Sequence, residues 1–209
     1  MDKIKKFFLF LIINIFISFS ISYGAENNKI LIAYFSWGEN TIVTNPADID
    51  IDAVTSASVL LPGNVTKMAN WIQEETGGDL FSIKVKEPYS SNYDECLDRA
   101  ADEKAENLRP ELINQIDTSK YDTIFIGYPN WWYTAPMAIF SFIENNNLEG
   151  KKVVLFCSHG TGGLARSVRD IKNALPNNIN LEENVIGIYR DDISDGKRRI
   201  HNWLKEIGY

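Results

Sequence analysis

Three short, nearly unbroken apolar runs constrain this chain more than anything else: ILIAYF (30–35), TIFIG (123–127) and VVLFC (153–157). A strand with one wet face alternates apolar and polar residues, whereas a strand covered on both faces does not. VIGIY (185–189) has the same character. LFSIKV (80–85) alternates instead, with Phe81, Ile83 and Val85 on one side and Ser82 and Lys84 on the other, as an edge strand would. Helical stripes fall between the runs. They are Val65, Met68, Ala69 and Ile72, then Leu97, Ala101, Ala105 and Leu108, closed by Pro110. Met137, Phe140 and Ile143 follow a cap at Thr134; Leu164, Val168, Ile171 and Leu175 stop at Pro176; Ile200, Leu204 and Ile207 follow a cap at Ser194. Five strands alternating with five helices predict an α/β fold, a parallel sheet wrapped on both faces.

The first residues carry Lys3, Lys5 and Lys6, then an apolar stretch from Phe7 to about Ile21, then small residues at Ser22 and Gly24. A basic head, an apolar run too short to span a bilayer and a small-residue site predict a signal peptide over 1–24. Export to a periplasmic or extracellular location follows, with no stable membrane insertion after cleavage. The remainder suits one domain. Formal charge is −7 over 209 residues, and residues 1–24 hold three Lys and one Asp, so their removal leaves a still more acidic chain. Such a surface argues against nucleic acid and anionic membrane as partners. Cys96 and Cys157 are permitted to pair in an oxidising compartment, but two Cys make no disulfide framework, and a buried thiol is the plainer reading of Cys157. No metal-ligand spacing is present, and His159 and His201 are too few for a cluster.

In a parallel sheet, ligands sit outside the carboxyl ends of the strands, so loops 36–64, 128–133 and 158–163 are where function is expected. The first opens on Ser36 and Trp37, makes a long excursion over 39–62, and returns at GNVT (63–66) to start a helix. A helix N-terminus suits phosphate; Gly63 lets backbone approach closely, and Asn64 and Thr66 offer donors. Lys67 stands at the wrong offset for a nucleotide P-loop, so phosphate here would be held mainly by neutral donors. For Gly63-Asn64 taken alone, ordinary capping is the plainer reading.

The second loop contains Pro129, Asn130, Trp131, Trp132 and Tyr133. Pro129 breaks the strand, and adjacent Trp residues cannot easily both point inward. A flat aromatic ligand resolves that conflict, since stacking is worth about 0.5–1.5 kcal/mol beyond area burial. The third loop, Ser158, His159, Gly160, Thr161, Gly162 and Gly163, has a glycine-rich backbone able to approach a polar ring edge, although a plain strand-to-helix turn reads the same way. Phosphate, flat ring and polar ring edge are together the parts of flavin mononucleotide, FMN.

Tyr34-Phe35-Ser36, Gly63-Asn64, GYPNWWYTAP (127–136) and SHGTGG (158–163) resemble the flavodoxin-like family, in the branch with a YFSxxGNT-type phosphate loop and a G-P-x-W-W ring loop. The resemblance covers about residues 29–208. It implies a flavodoxin-like three-layer sandwich, a five-stranded parallel sheet of order 2-1-3-4-5, bound FMN and redox function. Two departures stand out: residues 39–62 split the phosphate loop, and Val65 stands where the pattern has Thr. The expected activity is that of an FMN-dependent oxidoreductase, reduced by a donor such as NAD(P)H and reoxidised by a quinone or small acceptor. The alternatives are an electron carrier between proteins, with a basic surface on its partner, or a binding module without flavin. The excursion over 39–62 is expected to fold over or alongside the ring as a surface segment, or else to supply phosphate ligands through Thr41 or Ser58.

Overall fold

The computed structural model describes residues 29–209 apart from Ser58, so the signal-peptide reading lies outside the described residues. Among these residues six parallel strands form one sheet: β1 (Ile30–Tyr34), β2 (Asp79–Ser82), β3 (Thr123–Pro129), β4 (Lys152–His159), β5 (Asn180–Leu181) and β6 (Ile186–Tyr189). Their order is β2-β1-β3-β4, and the last position is shared. β5 pairs with Lys152 and Val153 at the start of β4, and β6 pairs with Phe156 to His159 at its end. The expected order 2-1-3-4-5 is therefore present, its fifth strand divided in two. Six α-helices surround it among the described residues: α1 (Ile51–Ala57), α2 (Asn64–Thr76), α3 (Tyr93–Ala105), α4 (Met137–Asn145), α5 (Ser167–Ala174) and α6 (Gly196–Glu206). Among the described residues no helix is long and apolar enough to cross a membrane.

The apolar runs are unbroken because each strand feeds two cores. On one face Ile32, Phe125, Val154 and Ile188 pack against Met68 and Ile72 of α2 and Ile200 and Leu204 of α6. On the other, Leu31, Ile124, Ile126 and Leu155 meet Cys96 of α3, Phe142 of α4 and Ile171 of α5. Each large apolar side chain so buried contributes about 1.5–3 kcal/mol. Gly127 is required where the Phe156 ring crosses β3: a Cβ there would lie 2.1 Å from Phe156 Cζ.

Several local expectations change. The inward face of α3 is not Leu97, Ala101, Ala105 and Leu108 but Cys96, Ala100 and Glu103. Glu103 can turn inward because Tyr89 Oη donates to it at 2.7 Å and Arg99 Nε at 2.8 Å, while the Arg99 guanidinium lies 4.0 Å from the Tyr89 ring centroid. Thr134 does not cap α4; its hydroxyl donates to Asp170 Oδ2 at 2.8 Å, and Pro136 holds the cap position. Ser194 lies in a 3-10 turn (Arg190–Asp195) that leads into α6, with Asp195 at the cap. The edge strand ends at Ser82, after which Val85 N donates to the side chain of Asn40 rather than to a strand. Cys96 and Cys157 are both buried free thiols.

The excursion over 39–62 departs furthest from expectation. It contains α1 and drives Ala53 and Val59 into the larger core, 0 % and 1 % exposed. Asp50 joins it to α3, accepting from Ala53 N and Tyr93 N at 2.8 Å each. Its return crosses Gly38 so closely that a Cβ there would stand 2.3 Å from the Val59 carbonyl oxygen. The segment is thus part of the second layer rather than a surface flap, while Ile42, Ile51 and Leu61 remain exposed.

Candidate functional site

A cavity of about 300 Å³ opens at the carboxyl ends of β1, β3, β4 and β6. That volume lies at the lower end of the range for ligand pockets. All three loops singled out in the sequence reach it. Ser36, Trp37, Asn64 and Val65 come from the first, Pro129 to Tyr133 from the second, and Ser158 to Gly162 from the third. Gly63, Thr66 and Gly163 do not line it, and none of the described residues of 39–62 does.

The first wall is the N-terminus of α2. Gly63 holds the cap position without a side-chain bond, leaving the opening turn without the usual side-chain acceptor. Thr66 is committed elsewhere: its hydroxyl donates to Glu39 Oε1 at 2.7 Å. Glu39 also accepts from Tyr34 Oη at 3.2 Å, Ser82 Oγ at 2.5 Å and Lys84 Nζ at 3.1 Å, so it ties β1, α2 and the β2 edge together behind the cavity. Burial alone would raise its carboxyl, but donors from Ser82, Thr66 and Lys84 and the Lys84 charge hold it below its ordinary 4.5. Burial beside that carboxylate pushes the Tyr34 phenol up to about 12. The substitute ligand Thr41 is likewise committed, donating to the Tyr89 carbonyl at 2.7 Å, and Ser58 lies outside the described residues.

The second wall is a tight turn. Trp131 and Thr134 exchange two backbone hydrogen bonds of 2.9 Å, and between them Trp132 and Tyr133 both have positive φ, 49° and 68°. Two consecutive left-handed residues make a type I′-like turn, which ordinarily takes Asn and Gly. Aromatic side chains there carry strain that only surrounding contacts can hold. Trp132 Nε1 donates to the Leu97 carbonyl at 2.8 Å, Lys104 Nζ donates to the Trp132 carbonyl at 2.9 Å, and Arg166 N to the Tyr133 carbonyl at 3.2 Å. The two tryptophans are separated by this turn. Trp131 packs edge-on to Phe35, Trp37 and Tyr89 with centroids 5.4, 6.3 and 5.3 Å away. Trp132 and Tyr133 stay 38 % and 62 % exposed.

The third wall is glycine-rich backbone. Asn130 N donates to the Ser158 carbonyl at 2.9 Å, and Asn130 Nδ2 donates to the Gly163 carbonyl. That second bond fixes the amide orientation, because a carbonyl can only accept. Asn130 Oδ1 is left buried with no hydrogen-bond partner among the described residues. A buried acceptor without a donor is an expensive arrangement that a ligand can complete.

Two contributors lie outside the three loops that the sequence singles out. Tyr93, Cys96, Leu97 and Ala100 on α3 line the side opposite α2, and Arg190 lines the end beyond β6. Only the α3 stripe, set one residue off, gave any sign of the first group. Arg190 directly follows the run VIGIY, where one charge at a strand end carries no ligand signal of its own. Cys96 is no nucleophile here, since burial pushes its thiol up to about 12.

A family model described as flavodoxin matches residues 53–207. A Bacteroides eggerthii protein assigned as a flavoprotein is 28 % identical, with 87 % of this chain and 98 % of that chain covered and a TM-score of 0.64. A Bacteroides uniformis protein, also assigned as a flavoprotein, is 23 % identical over 85 % of this chain and 98 % of its own, at a TM-score of 0.65. A Lactobacillus acidophilus flavoprotein in complex with FMN is 22 % identical over 82 % and 99 %, at a TM-score of 0.56. Comparison with curated protein sequences found no match. With the sheet order, the two-sided core and the cavity at the strand ends in agreement with that match, the chain belongs to the flavodoxin family, whose cofactor is FMN.

Proposed function

We propose that this cavity holds FMN and that the protein is an exported redox flavoprotein, taking electrons from a donor and passing them to a quinone or small acceptor. One observation carries the reading: a helix N-terminus, an aromatic turn and a glycine-rich loop converge on a single cavity at the strand ends. The residues present fit the group. Asn130 Oδ1, the partnerless acceptor, suits a ring edge that carries an N–H donor. The backbone of α2 and Ser36 suits a phosphate, and Trp132 suits a flat ring.

FMN, when bound, supplies the redox chemistry. The chain's own residues bind, orient and shelter it. Trp131 braces the turn against Phe35, Trp37 and Tyr89 while also lining the cavity, and Trp132 lines it as the more exposed ring. Gly162 lies against Tyr133, where a Cβ would stand 3.4 Å from the ring, so the turn and the glycine loop adjoin. No lining side chain needs to act as an acid or base in this scheme.

The purified protein titrated with FMN, followed by flavin absorbance, tests the reading. Saturable binding of one FMN per chain is expected, and a colourless protein that takes up no FMN overturns it. Steady-state turnover with NAD(P)H and a quinone then separates an oxidoreductase from an electron carrier, because a carrier shows essentially none by itself.

A further inference from the structure

The sequence assigned the phosphate site to neutral donors. We infer that Arg190 is instead its charged ligand and the residue that makes the site prefer FMN to the unphosphorylated flavin. This rests on the FMN reading above and deepens it.

Arg190 begins the 3-10 turn after β6, where β6 pairs with the end of β4. Its carbonyl accepts from Asn64 Nδ2 at 3.3 Å, so its backbone is tied directly to the first residue of α2. Its side chain lies over the glycine loop: a Cβ built on Gly160 would stand 3.4 Å from Arg190 Nη1. Arg190 thus meets the first residue of α2 through its carbonyl and the third loop through its guanidinium, and it lines the cavity between them. Among the described residues, every other lining side chain is uncharged in form or a histidine, and none is a carboxylate. An anion entering this acidic protein, with formal charge −7, meets a fixed cation in the cavity wall.

The chemistry matches a phosphate. A guanidinium offers a planar fork of donors that matches two phosphate oxygens, and a charge-assisted bond is roughly twice as strong as a neutral one. Asp191, mostly exposed, stands 3.8 Å from Arg190 Nε, an ion pair that water screens, and the Tyr189 ring centroid is 5.9 Å from Arg190 Cζ.

The test compares FMN with riboflavin, which share the ring and differ in the phosphate. Wild type, Arg190→Gln and Arg190→Lys are titrated with both flavins, and the melting temperature of each flavin-free protein checks folding. Arg190→Gln is expected to weaken FMN at least tenfold, leave riboflavin within about twofold, and let Arg190→Lys recover part of the loss. Equal losses of both flavins would place the guanidinium on the ring, and no loss would place it outside the site; either overturns the inference. Should Arg190→Gln not fold, the wild type still decides. Its FMN-over-riboflavin ratio should fall as salt rises from low to high, whereas a ratio that holds or climbs with salt overturns the role of a cation. A wild type that binds neither flavin defeats the FMN reading itself, which is distinguishable from all of these.

Discussion

Trp131 and Trp132 are adjacent in sequence and both line the cavity, yet only Trp131 also packs against the core rings Phe35, Trp37 and Tyr89. Their truncations should therefore separate. Trp132→Ala is expected to weaken FMN by about tenfold, or ~1.4 kcal/mol, with little effect on the flavin-free melting temperature. Trp131→Ala removes contacts to Phe35, Trp37 and Tyr89 and should destabilise the fold by about 3 kcal/mol, measured by chemical denaturation. If Trp132→Ala left FMN affinity unchanged, the stacking role would be lost. Tyr133, at φ 68°, gives a sharper contrast. Tyr133→Gly relieves about 1–2 kcal/mol of left-handed strain and gives back about 0.5–1 kcal/mol in backbone entropy. Flavin-free stability should hold or rise slightly while FMN affinity falls. A drop in both would show that the ring, not the turn, dominates stability at that position. The aromatic pair was legible in the sequence because two large rings directly after Pro129 demand an explanation. The division of labour was not, since it depends on a backbone turn that Trp and Tyr rarely adopt. Arg190 was not legible either: one arginine after a strand looks like any solvated charge until the fold sets it beside Asn64 and Gly160.

The strands were readable because covering both faces leaves no reason for alternation. The helix α3 misled because its inward face includes Glu103, which reads as surface until Tyr89 and Arg99 are seen to satisfy it. The excursion over 39–62 misled for a related reason. Its acids and small polar residues look unsuited to a core, yet Asp50 is spent on backbone donors at α1 and α3, and only Ala53 and Val59 need be apolar to anchor it. Replacing residues 39–61 with a short linker would remove those anchors together with Glu39 and Asn40. The expected result is a large loss of stability, rather than a folded protein with altered acceptor preference. Gly38→Ala is the milder probe, since its methyl would meet the Val59 carbonyl at 2.3 Å and push the returning chain outward. About 1–3 kcal/mol of destabilisation is expected by thermal or urea unfolding, the usual effect of overpacking. A neutral Gly38→Ala would mean that the return path is loosely held.

Glu39 connects three elements, and its titration gives the molecule a directional response to acid. Its folded-state pKa is depressed, so its contribution is fully present above the ordinary 4.5 and is lost as pH falls below that value through the folded pKa. Glu39→Gln should flatten this part of the stability-versus-pH curve and remove about 1.5–3 kcal/mol at neutral pH, the worth of hydrogen bonds to a charged group. A variant retaining the same acid slope would assign it to other carboxylates. The cavity, for its part, takes one wall from α2 and Arg190, on the side of the first core, and another from Tyr93 to Ala100 of α3, on the side of the second. A flavin seated there bridges both layers of the sandwich. By mass action, ligand at a hundredfold excess over Kd adds about 2.7 kcal/mol to the bound form. Amide hydrogen exchange should register that gain on α2 and α3 together, so that two helices on opposite faces of the sheet become protected as one unit when the cofactor arrives.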